Sequence, residues 1–367
     1  MPGWLRPSLN WLLPVVPVTI GLEFLAPERH ALIFVLACVG IIPLAGWMGR
    51  ATEELADRSG AAVGGLLNAT FGNMAELIIA LMALRAGLVD VVKASLTGSI
   101  IGNILLVLGA AFLGGGLRFK RQQFNPTGSR IQATMLTLAA VALVLPAAYH
   151  HLVGPAGLPR EGSLSVAIAI VLLVTYGLGL LFSLHTHKPL FSGDVVETAQ
   201  LEHAKHAPWP LKTALGLLAG ATALVAWLSE ILVGAVEPAA ATFGMTNLFI
   251  GVVVVAIIGN AAEHSTAILV ALKNRMDLSI GIAIGSSVQV ALFVAPIVLL
   301  ASYVIGPVPM DLVFTPAEVL AIGLAVIITG QIAEDGESNW MEGVLLLAVY
   351  LILAIVFYFL PESAGTV

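Results

Sequence analysis

The sequence predicts an all-α integral membrane protein of eleven transmembrane helices: an N-terminal helix followed by two inverted five-helix repeats. Three observations predict it. Of 367 residues, 59% are hydrophobic and 10% are charged, whereas a soluble domain carries about 25% charged residues. Apolar runs of about 20 residues, the length that crosses a bilayer, recur along the whole chain. A short polar motif inside one of these runs returns 187 residues later inside another.

The runs lie at 9–26, 30–49, 62–87, 91–116, 129–151, 164–184, 211–236, 246–272, 278–303, 314–332 and 341–360. The first holds Pro14, Pro17 and Glu23 and lacks a small-residue cleavage site, so it reads as a retained span rather than a signal peptide. The second holds Cys38, the only cysteine, which excludes an internal disulfide. Glycine, at 37 residues, suits helices that pack closely in lipid. The longest polar stretch, 185–210, carries His185, His187, His203 and His206 with Asp194, Glu197 and Glu202. Their spacing matches no tight metal motif, so it reads as a solvated linker. The chain therefore divides into an N-terminal helix (1–29), a first repeat (30–184), a central cytoplasmic linker (185–210) and a second repeat (211–367).

Basic residues set the orientation. With eleven spans, twelve of the sixteen Lys and Arg fall on one side, among them Arg50, Arg58, Arg118, Arg121 and Arg275; Arg29, Arg85, Lys93 and Arg160 fall on the other. The first side is expected to be cytoplasmic, with the N-terminus inside and the C-terminus outside.

The repeat carries the chemistry. Gly72-Asn73-Met74-Ala75-Glu76 in the third run matches Gly259-Asn260-Ala261-Ala262-Glu263 in the eighth, and Gly98-Ser99 matches Gly285-Ser286 at the same offset. Five spans per repeat force the two copies into opposite orientations, a plan used by secondary transporters. A mid-membrane carboxylate costs roughly 2.5–3.5 kcal/mol, so two at matching positions point to function. The bland alternative, a helix-pairing glutamate, does not account for the match. Glycine weakens the helix locally, and asparagine competes for backbone hydrogen bonds. Each motif is thus expected to break its helix near the midplane. Asn73 and Asn260 lie three residues before their glutamates and share a face with them. Ser99 with Asn103, and Ser286 with Gln289, are spaced to complete an all-oxygen site or to glue helices together. Oxygen ligands select hard cations such as calcium; manganese satisfies the same set, while the absence of cysteine and paired histidine argues against zinc or copper. His264, opposite Leu77 of the first repeat, is placed to tune protonation or to pack. Glu53 and Glu230 are expected near cytoplasmic helix ends, either as an entrance that concentrates cations or as solvated helix-end acids.

These residues resemble the calcium/cation–proton exchanger family, in the calcium/cation antiporter superfamily. The carriers are G-N-M-A-E at 72–76, G-N-A-A-E-H at 259–264, G-S-S-V-Q at 285–289, A-T-E-E-L-A at 51–56, T-H-K-P-L-F at 186–191 and S-N-W-M-E-G at 338–343. Neither glutamate block has the proline typical of the sodium–calcium branch. The resemblance implies eleven spans with an unpaired first helix. It also implies export of cytosolic calcium by proton antiport at Glu76 and Glu263, with Asn73, Asn260 and Gln289 as further site residues. The linker departs from the family, whose members often carry an acidic helix there.

The resulting expectation is a multi-pass protein of the cell membrane that works as a secondary antiporter by alternating access. It has no cofactor, takes Ca2+ and H+ as transported ions, contacts membrane lipid and binds no nucleic acid; homo-oligomer formation is compatible with this. An intramembrane enzyme using paired carboxylates is the competing class, but symmetry suits alternating access better than one chemical step. A channel would use the same ligands and would pass current without a proton gradient.

Overall fold

Only a helix satisfies its own backbone N–H and C=O groups within one segment when no water is at hand, so apolar runs of this length fold as helices. The computed structural model describes residues 9–59, 61–153, 158–187 and 209–361. We number its helical segments in chain order: α1 Leu9–Leu25, α2 His30–Ser59, α3 Ala61–Phe71, α4 Met74–Arg85, α5 Val89–Arg118, α6 Pro126–Val153, α7 Pro159–Thr186, α8 Leu211–Phe243, α9 Asn247–Gly259, α10 Ala261–Ala271, α11 Met276–Ile305, α12 Pro316–Asp335 and α13 Trp340–Phe359. Eight are long and apolar enough to cross a membrane alone, and the pair α9–α10, bent by 61°, makes a ninth. The remaining two expected spans fall on the shorter apolar α1 and on α3 with α4, which are 11 and 12 residues long. The all-α membrane class holds. Most of the linker, including His203, His206, Asp194, Glu197 and Glu202, lies outside the described residues; His185 lies in the last turn of α7 and His187 follows it, stacked on Phe182.

Packing arranges the helices around a central group of α4, α5, α9, α10 and α11. The long helices α2 and α8 lie side by side along one flank, α6 pairs with α12, and α13 packs along α5. Close approach is made possible by missing side chains. A Cβ on Gly343 of α13 would stand 2.3 Å from the Leu113 backbone nitrogen of α5, the small-residue packing that membrane helices favour. The S-N-W-M-E-G motif is thereby explained as structural: Asn339 and Glu342 form a capping box at the start of α13, and Gly343 admits α5.

Contacts between chain connections sort into two faces. On the first, Arg58 donates to the Trp209 carbonyl, Arg118 to Leu272 O (3.1 Å) and Gln122 to Asn274 Oδ1 (3.1 Å). There too the strands β1 (Gln122–Gln123) and β2 (Glu337–Ser338) pair antiparallel. On the second, Lys93 pairs with Asp311 (2.6 Å), His150 with Glu161 (2.8 Å), and Leu312 N donates to Ser165 Oγ (3.0 Å).

Four helices carry a π turn among the described residues, and two of these turns fall at corresponding places: Gly102–Val107 in α5 and Val290–Val294 in α11. Residues 103–107 map onto 290–294 at the 187-residue offset. Such turns re-aim side chains and recur at functional sites.

Candidate cation site at the two helix breaks

The G-N motifs break their helices where the sequence expects. Asn73, between α3 and α4, has φ −96° and ψ 25°; Asn260, between α9 and α10, has φ −93° and ψ 3°. Neither asparagine caps its helix with its side chain. Both instead reach across the core. Asn73 Nδ2 donates to Gln289 Oε1, and Ser286 Oγ donates to Asn73 Oδ1 (3.2 Å). Asn260 Nδ2 donates to Ser99 Oγ (2.9 Å) and to Ala256 O (2.9 Å). Asn103 links the halves, donating to Asn260 Oδ1 (3.3 Å) and Ser286 Oγ (3.2 Å). His264 Nε2–H donates to Asn103 Oδ1 (2.9 Å).

One connected network therefore joins Gln289, Asn73, Ser286, Asn103, Asn260 and Ser99, with His264 attached to it. Asn73, Asn103 and Asn260 are each 1% exposed. Buried amides must be paired, and here they pair with Ser99, Ser286, Gln289, His264 and one another, keeping a second carbonyl lone pair in reserve. The sequence left open whether Ser99, Asn103, Ser286 and Gln289 complete a site or glue the bundle; the geometry gives them the helix-joining bonds and sets them beside the glutamates.

The two glutamates sit crosswise. A Cβ on Gly259 would lie 3.1 Å from Glu76 Cγ, and a Cβ on Gly72 would lie 3.6 Å from Glu263 Oε1. Each carboxylate thus rests against the glycine of the other break. Glu263 Oε2 is buried without a hydrogen-bond partner among the described residues, a costly arrangement until a cation or a proton satisfies it. No three His, Cys, Asp or Glu side chains converge among the described residues. The acidic ligands available are these two carboxylates, dressed by amides and hydroxyls.

A cavity of about 780 Å³ connects the site to the first face. Arg50 and Glu53 line it towards its mouth, and Glu263, Ser286 and Gln289 line its inner end. Asn68, Ser183, Ser265 and Thr266 also line it. Sequence reasoning missed these four, although Asn68 precedes Gly72 by one helical turn. On the second-face side of the site α5 and α9 pack closely: a Cβ on Gly98 of α5 would collide with Val252 O of α9 at 2.0 Å.

Glu53 and Glu230 do not share an end, which corrects the expectation of two cytoplasmic positions. Along the α2–α8 pair, Arg58 meets Trp209 while Gly40 meets Leu228. Glu230 is therefore well removed from the Arg58 face, and it does not line the cavity. Two copies of opposite orientation would separate matching helix ends in this way.

The fold and the site define a class: a polytopic membrane transport protein whose buried acids meet at crossing helix breaks. The family described as Sodium/calcium exchanger protein matches residues 29–185 and 213–359. A Ca(2+)/H(+) antiporter of Aphanothece halophytica is 48% identical over 364 residues, covering 95% of this chain and 96% of the relative. The Ca(2+)/H(+) antiporter ChaA of Bacillus subtilis is 46% identical over 331 residues, covering 90% and 93%. Among solved structures, native YfkE superposes with a TM-score of 0.81 at 41% identity, covering 96% of this chain and all of that one. The H+/Ca2+ exchanger CAX shares the fold, with a TM-score of 0.67 at 18% identity, covering 95% and 91%. This chain belongs to the calcium/cation–proton exchanger family. It is a transporter rather than an enzyme.

Proposed function

We propose that the chain is a secondary-active antiporter that exports cytosolic Ca2+ in exchange for protons, by alternating access to a midplane site formed by Glu76 and Glu263. The observation that carries this reading is the crossed seating of the two glutamates, one from each break, at the inner end of a cavity that opens to one face. The relatives named as Ca(2+)/H(+) antiporters support the choice of ions.

The architecture behind this reading is eleven spans, counting α3–α4 and α9–α10 as one broken span each, in two inverted repeats after α1. Matching breaks and matching π turns at one offset support it. By the positive-inside rule the Arg58 face is cytoplasmic, the N-terminus is inside and the C-terminus outside, and the cavity faces the cytosol. A divalent cation entering there replaces protons on the two carboxylates. Cation or protons neutralise the pair, and the helices then rearrange without dehydrating a doubly ionised site. Asn73, Asn260, Ser99, Asn103, Ser286 and Gln289 hold the glutamates and supply neutral oxygens. His264 orients Asn103, Glu53 gathers cations at the mouth, and Glu230 serves the opposite face. Mn2+ fits the same ligands, and no cofactor is required.

The test is reconstitution into proteoliposomes with an imposed pH gradient and measured Ca2+ uptake, repeated with competing cations. Uptake that tracks the gradient and stops when an ionophore collapses it supports the reading; gradient-independent Ca2+ current overturns it in favour of a channel.

A further inference from the structure

Arg50 is the one Lys or Arg among the described residues lining the cation cavity. A positive charge at the mouth of a cation path opposes capture, so its placement needs a reason. Its guanidinium lies 5.3 Å over the ring of Trp209, within cation–π range. Trp209 does not line the cation cavity; it lines a neighbouring cavity of about 840 Å³, which Arg50 also borders. Arg50 therefore borders both cavities, with its guanidinium over an indole that lies outside the cation cavity.

Trp209 is itself held. Its N–H donates to Glu54 Oε2 (3.0 Å), and its carbonyl accepts from Arg58. Arg50, Glu54 and Arg58 follow one another at four-residue steps and so form a single stripe on α2. The stripe grips Trp209 through both backbone groups and the ring. Anchoring α8 to the end of α2 would need only the backbone bonds; the stacked ring acts on Arg50 alone.

We propose that Trp209 is a positioning residue that keeps the charge of Arg50 away from the mouth of the cation cavity and so sets the apparent cation affinity from that side. This inference rests on the reading of the cavity as the cation's access path. Without the indole, the guanidinium swings towards Glu53, three residues along the same helix and on the cavity wall, and there it opposes an incoming divalent cation.

The experiment uses the full chain in proteoliposomes and measures initial Ca2+-dependent proton flux against Ca2+ concentration at low and high ionic strength. Trp209→Leu keeps apolar bulk but removes the π face. It is expected to raise KM roughly threefold or more at low salt, with kcat unchanged, and the effect is expected to shrink at high salt. Trp209→Phe keeps the stack and should retain the wild-type KM. Adding Arg50→Gln to Trp209→Leu should bring KM back to that of Arg50→Gln alone. Arg50→Gln alone tests the point without touching Trp209, and should change KM by less than about twofold because its charge is already held away. An unchanged KM in Trp209→Leu, a raised KM that persists in the double variant, or a large drop in KM for Arg50→Gln alone overturns the positioning role. A wild-type protein with no Ca2+-dependent proton flux instead overturns the transport reading, and this inference falls with it.

Discussion

Glu263 Oε2 is a buried carboxylate oxygen with no hydrogen-bond donor among the described residues, and Glu76, at the other break, has its stem against Gly259. A carboxylate so placed changes state with its occupant, because only a cation or a proton relieves it. Glu→Gln preserves shape but, on the proposed mechanism, removes both the charge that holds the cation and the base that takes the proton. Glu76→Gln and Glu263→Gln are each expected to reduce exchange to the level of empty vesicles, with normal insertion and gel-filtration behaviour. Near wild-type exchange by either, normalised to reconstituted protein, would disprove the two-glutamate mechanism. His264 acts one step away. Its ring donates to Asn103 Oδ1, so His264→Ala leaves an acceptor unpaired in the network, at a cost of about 1–3 kcal/mol. Slower exchange and a lower Tm are expected, with transport retained; His264→Ala losing all exchange would place the histidine among the ion ligands instead.

At the scale of elements, the repeat-equivalent glycines Gly98 and Gly285 stand in different surroundings. A Cβ on Gly98 meets Val252 O at 2.0 Å and Ala256 Cβ at 2.7 Å; on Gly285 it meets only Gln132 Nε2, at 3.7 Å. The same G-S motif is thus packed tightly against a helix in one copy and loosely in the other, a difference that the proposed alternating access would use. Gly98→Ala should disfavour this conformer by roughly 1–3 kcal/mol, whereas Gly285→Ala should be tolerated by it and resisted by the opposite one. A cysteine at Ser265, which lines the cavity, in a background without Cys38, reports the difference. Its labelling by a polar maleimide should fall in Gly98→Ala and hold or rise in Gly285→Ala; equal labelling would mean that the two glycines do not govern opposite closures. Here lies the limit of what the sequence could say. The breaks at Gly72-Asn73 and Gly259-Asn260 and the polar set around them were legible, because residue type and spacing decide them. The asymmetry was not, because identical motifs carry no record of which copy is closed. Nor could the sequence show that Asn73 bonds across the core, and that Asn260 does so besides bonding to Ala256 O of its own helix, since that depends on which side chains the fold brings opposite. Glu230 was placed at the wrong end because a sequence alone does not show which end of α2 lies beside which end of α8.

At the scale of the whole molecule, the ion count follows from where charge is allowed. Lys93 pairs with Asp311, Arg121 with Glu337 and His150 with Glu161 at the faces, while the interior site has two carboxylates and, among the described residues, no Lys or Arg bonded to it. Two negative charges are balanced by one divalent cation or by two protons, and an interior left with net charge would face the large cost of ions in hydrocarbon. The central step should therefore exchange one Ca2+ for two H+ with little net charge moved. In proteoliposomes, Ca2+-driven proton flux should change less than about twofold when a potassium diffusion potential of either sign is imposed. A single uncompensated charge would instead feel about 2.3 kcal/mol per 100 mV, enough to change the rate many-fold if it moved across the whole field in the rate-limiting step. Dissipating the pH gradient with a potassium–proton exchanging ionophore should stop uptake, while clamping the potential at zero should leave it running. A flux that follows voltage steeply and ignores the pH gradient would show that charge moves uncompensated, and that the two glutamates do not titrate together with the cation.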